Sequence, residues 1–236
     1  MRSLVRAAAL AVIVLAAAWQ PAALATSLSV APTRVELGPT ARSGSIVLEN
    51  TGTTTTTVQV ETFAWPRGHS VEALEPTRGL LAVPAVFVLP AGERQVIRVA
   101  SREPAAGDVE TAYRLLITEV PTEDPTSAAG IRFALRLSLP VFITPPAARA
   151  APSWSWRNGA GGRSLEVQND GNAHLHVRRL VIREKATGRL LAEIEQPSYV
   201  LARGRHSWPD LVPAAAGPLA VEAVTNLGEL SLDLDG

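Results

Sequence analysis

The chain has no cysteine among its 236 residues. No disulfide can form, so the fold must be held by core burial, which a hydrophobic content of 47% can supply. Lysine is almost absent as well: Lys185 is the only one, and every other basic residue is arginine. Histidine is limited to His69, His174, His176 and His206. There is no Gly-x-Ser-x-Gly elbow, no phosphate-cradling glycine loop and no thiol. Carboxylates such as Glu119, Glu123 and Asp124 are scattered rather than paired. These gaps argue against an enzyme, and no cofactor is expected. The formal charge is zero, so no basic excess draws the chain to nucleic acid or anionic lipid.

The one long apolar run stands at the beginning. Arg2 and Arg6 precede Ala7–Ala18, and Ala23-Leu24-Ala25 ends the stretch in the small-x-small form of a cleavage site. Residues 1–25 therefore read as a secretory signal, too short and wrongly flanked for a membrane-spanning helix. The mature chain would start at Thr26 and hold about 210 residues, enough for one large or two small domains. Losing Arg2 and Arg6 moves the formal charge from 0 to about −2. No second long apolar run follows, so stable membrane insertion is not expected.

Helical periodicity is poor. Short β-rich runs recur instead, from SIVLEN and TVQVETFAW to LAVEAV and ELSLDLD, with Gly, Pro, Asn and Asp between them. Many short strands with turn signals predict an all-β protein built of sandwiches. TPPAARAAP at 144–152 cannot continue a central strand and reads as a semi-stiff connector. This predicts a first domain over 26–145 and a second over 146–236, with about half a dozen strands in each. SIVLENTGT at 45–53 echoes SLEVQNDGN at 164–172, a strand followed by Asn-x-Gly, and places Gly52 and Gly171 at positive-φ turn positions. Duplication and convergence on a common hairpin turn explain the echo equally well. The stretch from Pro66 to Pro84 reads as a surface loop or irregular edge. His174 and His176 share one strand face. A solvated pair is the simpler reading, and zinc ligation would need a third ligand. Trp154 and Trp156 also share a face, suited either to a domain junction or to an exposed binding platform.

One strand is unusual. IRFALRLSLPVFITPP at 131–146 alternates apolar and other residues from Ile131 to Ile143. Period-two alternation marks a half-buried strand, yet about thirteen residues is more than twice the common length of about 5–6. Edge strands normally carry charge or stay short to discourage pairing.

Several ordered pieces resemble the periplasmic chaperones of the chaperone–usher pathway: VAPTRVEL at 30–37, VLENTG at 47–52, PAVFVLPAGERQVIRV at 84–99, DVETAYRLLITEVP at 108–121, RFALRLSLPVFITPP and NDGNAH at 169–174. YRLLITEVP and LSLPVFITPP are closer in form to the archaic, or spore-coat-like, branch. The resemblance implies two immunoglobulin-like β-sandwich domains at an angle, with a subunit-binding cleft between them. It implies a periplasmic location, pilus or coat protein subunits as partners, and delivery to an outer-membrane usher. It also makes the long strand a donor that completes a strand-deficient subunit, with Ile131, Phe133, Leu135 and Leu137 entering the groove. The bland alternative is that these residues face the first domain's own core.

The family grips the subunit's C-terminal carboxylate with an arginine and a lysine. The arginine falls on Arg34, but the lysine position is Pro140. An antiparallel hairpin with Val120 near Ile131 places Pro140 opposite roughly Ala112 to Arg114. Arg114 is thus a candidate second cation; the competing reading makes it a structural ion-pair partner, for instance of Glu110. The arginine that normally pairs with the Glu110 position is replaced by Thr144, which puts the usual interdomain ion pair in doubt. A secreted β-sandwich adhesin or carbohydrate-binding module, using Trp154 and Trp156, is the alternative function.

Overall fold

A computed structural model describes residues 28–66, 73–102, 107–120 and 134–232, together with Leu234. The stretch read as a secretory signal lies outside the described residues, as do Ile131 and Phe133. No α-helix occurs among the described residues, and hence none long and apolar enough to cross a membrane.

The first half of the chain forms β1 (Leu28–Ala31), β2 (Val35–Leu37), β3 (Ser43–Asn50), β4 (Thr56–Ala64), β5 (Glu75–Pro76), β6 (Leu80–Val83), β7 (Val86–Leu89), β8 (Arg94–Ser101), β9 (Thr111–Val120) and β10 (Arg136–Ile143). A four-stranded sheet, β1-β3-β8-β6, faces a six-stranded one, β2-β10-β9-β4-β5 with β7 also on β4. The facing parities supply the core. Ile46 and Leu48 come from β3, Ile97 and Val99 from β8, Val58 and Val60 from β4, Leu115 and Ile117 from β9, and Leu139, Val141 and Ile143 from β10. Each such side chain contributes roughly 1.5–3 kcal/mol on burial.

The second half forms β11 (Pro152–Asn158), β12 (Arg163–Asn169), β13 (Leu175–Glu184), β14 (Leu190–Ile194), β15 (Ser198–Val200), β16 (Arg205–Val212), β17 (Leu219–Thr225) and β18 (Gly228–Leu232). Here β11-β12-β16 faces β14-β13-β17-β18, with β15 also on β13. Leu165, Val167, Leu175, Leu180, Ile182 and Val221 are in its core. The molecule is all-β, two sandwiches in series, with more strands in each than the sequence runs suggest because the edges are made of short pieces.

Asn50 and Asn169 explain the internal echo. Both are fully buried. Gly52 N donates to Asn50 Oδ1 at 3.0 Å, and Gly171 N to Asn169 Oδ1 at 3.1 Å. Each amide then donates four residues on, Asn50 Nδ2 to Thr54 O at 2.7 Å and Asn169 Nδ2 to Ala173 O at 2.8 Å. The turns are not hairpins: β3 and β4 lie in opposite sheets, as do β12 and β13. The buried amide satisfies the backbone where the chain leaves one sheet for the other. Gly52 and Gly171 are not among the positive-φ glycines, so the conformational reason expected for them fails. At Gly171 the reason is space, since a Cβ there would lie 2.3 Å from Arg149 O and 2.5 Å from Ala151 N.

The stretch read as a surface loop or irregular edge supplies an edge strand, β6, whose Leu80 and Ala82 are buried. Two further expectations are corrected. Trp154 and Trp156 make neither a junction nor a platform: both pack against the second core, and Trp154 stacks on Trp208 with centroids 5.9 Å apart. The β9–β10 register pairs Arg136 with Thr118 and Pro140 with Arg114, so the ladder, continued, sets Val120 opposite Ala134 rather than Ile131.

The Asn169 bonds make a test. Its amide also donates to Val200 O and Leu201 O, and its Oδ1 accepts from Ala151 N. Asn169→Ala strands several buried backbone groups and should cost about 2–4 kcal/mol in urea unfolding. Asp170→Ala, at the exposed neighbour, should stay within about 0.5 kcal/mol of wild type. Equal losses from both would show that the turn, and not the amide, is what matters.

Candidate functional site

β10 is paired unequally on its two sides. It runs antiparallel to β9 from Arg136 to Ile143, but β2 joins it, in parallel, only at Val141–Ile143. From Arg136 to Pro140 its other edge carries no partner strand among the described residues. The ladder to β9 continues further, with Glu119 N donating to Leu135 O at 2.9 Å.

The inward parity of β10 loses cover along the same direction. Ile143, Val141 and Leu139 are buried in the first core, Leu137 packs on it only in part, and Leu135 is half-buried. Leu137 thus touches the protein's own core, as the bland reading required, while sitting where that core ends. The opposite parity behaves differently. Arg136 and Ser138 are exposed, but Pro140 and Phe142 are buried. Phe142 belongs to a separate cluster with Trp65 and Leu201, which joins the two sandwiches.

That junction contains an unusual set of polar groups. The Glu110 carboxylate is 7% exposed overall and accepts from Thr144 Oγ1 at 2.8 Å and from His174 N at 2.9 Å. His174 Nδ1 lies 2.9 and 3.0 Å from its two oxygens and donates to them. Thr144 therefore keeps contact with Glu110 although the expected arginine is absent, and His174 supplies the second domain's half of the link. His174 is buried and its ring lies flat on Phe142, with centroids 3.7 Å apart. The solvated-pair reading of His174 and His176 is overturned, because the sequence interval gives no hint that another domain covers this face. No cluster of metal-binding side chains occurs among the described residues.

Arg34 is half-buried at the start of β2. Its Nε pairs with Glu36 at 2.8 Å, and its Nη1 donates to His176 Nδ1 across the junction at 3.3 Å. Arg114 lies opposite Pro140 in register, within the interval the hairpin count allowed. It is 8% exposed and has no carboxylate partner among the described residues. Its guanidinium sits 3.8 Å over Trp65 and 5.7 Å from Tyr199, and its only side-chain hydrogen bond among the described residues is Nη1 to Ser138 O at 3.5 Å. Nε is buried and has no partner among the described residues. Burial pushes its pKa down to about 10, partly offset by Tyr199. Glu110 is already taken by His174 and Thr144, so the structural ion pair between Arg114 and Glu110 is not formed.

Tyr199 connects these groups, stacking on His176 with centroids 4.2 Å apart and planes at 4°. The sequence reading missed Tyr199, Trp65 and Phe142. Phe142 had a signal, a large ring on the wrong parity of an alternating strand, but its covering partner lies in another domain.

The sequence profile described as pili and flagellar-assembly chaperone, PapD N-terminal domain, matches residues 27–149, more than half of the chain. The chain belongs to this family of pilus-assembly chaperones. The family is one of chaperones rather than enzymes. A comparison with curated proteins finds no match in sequence. Among solved structures, similar chains include one from the CsuC–CsuE chaperone–tip adhesion subunit pre-assembly complex of the archaic chaperone–usher Csu pili of Acinetobacter baumannii. It is 18% identical over 88% of this chain and 98% of that one, with a TM-score of 0.63. The YadV chaperone is 18% identical over 87% and 99%, with a TM-score of 0.64. The CupB2 chaperone of Pseudomonas aeruginosa is 18% identical over 88% and 100%, with a TM-score of 0.61. At this identity the likeness shows the fold, two β-sandwich domains, and nothing finer.

The junction should respond to acid. His176 has its pKa lowered from 6.5 to about 4, first by burial and then by the nearby cations, Arg34 foremost. The folded value lies below the unfolded one, so between them the unfolded chain binds more protons. Stability is therefore lost as pH falls from 6.5 toward about 4. His206, lowered by burial, acts in the same direction. The urea midpoint should drop between neutral pH and about pH 4, and His176→Asn should make that drop smaller. An unchanged pH dependence in the variant would remove His176 from the account.

Proposed function

We propose that this chaperone binds pilus or coat protein subunits by lending β10 to a subunit fold that lacks a strand, and then delivers them to an outer-membrane usher. The observation that carries this reading is the state of β10. Among the described residues its second edge has no partner strand from Arg136 to Pro140, its apolar face runs beyond the first core, and on the other face of the sheet lies a buried cation, Arg114, with no carboxylate partner. A subunit strand can pair with that edge while the alternating side chains enter its groove. Ile131, Phe133, Leu135 and Leu137 are the assigned anchors, worth at most about 6–12 kcal/mol together before ordering costs.

Arg34 and Arg114 are assigned to the subunit's C-terminal carboxylate. A guanidinium offers a carboxylate a bidentate fork, and Arg114 holds a charge with no carboxylate partner among the described residues. Residues 1–25 would direct export to the periplasm and be removed, leaving the two domains as 26–145 and 146–236. The archaic or spore-coat-like branch fits the sequence forms on β9 and β10. The adhesin or carbohydrate-module reading loses its one support, since Trp154 and Trp156 are occupied by the second core.

Co-expression with a candidate subunit encoded beside an usher should yield a periplasmic 1:1 complex. Leu135→Asp places a charge on the groove-facing parity and should lower complex yield at least tenfold, about 1.4 kcal/mol or more, with the free chaperone still folded. Arg136→Asp, on the opposite parity, should bind much better. Similar losses from both, or unfolding of free Leu135→Asp, would return this face to the protein's own core.

Arg114→Ala breaks no ion pair, so its melting temperature should stay within a few degrees of wild type. Subunit affinity should fall about thirtyfold or more, a loss of 2 kcal/mol or more. Collapse of the melting temperature with affinity retained would make Arg114 a structural residue.

A further inference from the structure

The carboxylate-binding reading assigns both cations to the first sandwich. The hydrogen bond from Arg34 Nη1 to His176 Nδ1 reaches 142 residues along the chain, into the second. We infer that His176 is the positioning residue for Arg34, so that the second sandwich aims a guanidinium carried by the first. This inference rests on the carboxylate-binding reading of the cleft.

Three observations support it. The geometry requires Nδ1 to accept, because an arginine can only donate. The hydrogen then sits on Nε2, which is buried and has no partner among the described residues. With no bond at Nε2, the orientation of the ring is set by other holds as well as by the contact with Arg34. Two holds are present: His176 N donates to Asn226 Oδ1 at 2.8 Å, and the ring lies parallel to Tyr199 at 4.2 Å. Tyr199 in turn stands 5.7 Å from the Arg114 guanidinium. The low pKa of His176, about 4, keeps the Nδ1 lone pair free at neutral pH.

The consequence is a fixed guanidinium. Arg34 is tied at Nε by Glu36 and at Nη1 by His176. A free arginine side chain loses rotamer freedom when it grips a ligand, whereas one held at two nitrogens has lost it beforehand. Nη2 makes no hydrogen bond among the described residues and is left for an incoming anion. The small acceptor contact at His176 thus acts on ligand binding through Arg34, without touching the ligand.

The test separates acceptor from stack. His176→Asn keeps an oxygen acceptor close to the Nδ1 position and loses the ring. His176→Phe keeps a ring on Tyr199 and loses the acceptor, with His176→Ala as the substitute if the phenylalanine variant does not fold. The probe is a synthetic peptide of alternating apolar and polar residues with a free C-terminal carboxylate, compared with the same peptide amidated. The readout on the mature full chain is the ratio of the two dissociation constants.

The wild type should prefer the free carboxylate by about tenfold or more, the size expected for hydrogen bonds to a charged group. His176→Asn should keep most of that preference. His176→Phe should reduce it toward the value of Arg34→Ala, and combining the two should reduce it no further. A wild-type ratio in His176→Phe, equal losses in His176→Phe and His176→Asn, or additive losses with Arg34→Ala would each overturn the inference. Loss of preference in Arg34→Ala with a wild-type ratio in His176→Phe sinks only the positioning role. No carboxylate preference in the wild type, or an undiminished one in Arg34→Ala, sinks the anchor reading on which it stands.

Discussion

Phe142 points out of the first sandwich and is nevertheless fully buried, because His174 of the second sandwich lies flat against it. Trp65 and Tyr199 close around it with centroids at 6.3 and 5.6 Å. At the edge of the His174 ring, Glu110 accepts from Nδ1 and also from the backbone N–H of His174. The contact is thus apolar on the ring's face and hydrogen-bonded at its edge, which fixes its direction as well as its distance. The cleft residues depend on it. Trp65 is the surface on which Arg114 lies, and Tyr199 stands between Arg114 and His176. Losing the Phe142 ring would open a cavity shared by both sandwiches, at a cost of about 3–5 kcal/mol, and would leave both cations without their supports.

Toward its other end the same strand has no partner on its second edge among the described residues. Between Val141 and Ile143, β10 is paired on both sides and buried on both faces. Toward Leu135 it loses first the neighbouring strand and then the core beneath it. One end therefore sets the direction of the strand while the other, in the proposed function, would offer backbone and side chains to a partner. Rigidity inherited from the buried end lowers the ordering cost of binding, which otherwise consumes much of what burial provides. Pro140 marks the transition. Proline is confined to edge strands within sheets, and here it sits where the edge begins to be free.

The alternation of β10, the end of that strand and the repeated Asn-x-Gly turn were legible in the sequence because each is a local pattern, but that the turns cross between sheets was not. Arg34 is singled out only through family resemblance. The register that brings Arg114 to Pro140 was legible within a residue or two, since a ladder can be counted. The role of Gly171 was misread because turn chemistry suggests φ, whereas the limiting factor is an approach of the chain from Arg149 to Ala151. His174, His176 and Tyr199 were misread or missed for a common reason. Their surroundings come from Glu110, Phe142 and Arg34, more than thirty residues away and in the other sandwich, and no local periodicity records that.

In the role proposed for it, Arg114 would make the site selective without making it large. An unpaired ion held away from water carries a penalty of several kcal/mol, and contact with aromatic faces returns only about 2 kcal/mol of it. The free protein retains the difference. A carboxylate arriving in the cleft brings its own desolvation cost, but it meets a charge that has already been desolvated and oriented. A neutral chain end brings the crowding of the cleft without that relief. Arginine suits this arrangement better than lysine would. Its planar group can lie at 3.8 Å on Trp65 and still present N–H groups in its plane, whereas an ammonium would need water or carbonyls around it. In that proposed role, Arg114 opposite Pro140 would carry on β9 the charge that the family resemblance places on the donor strand.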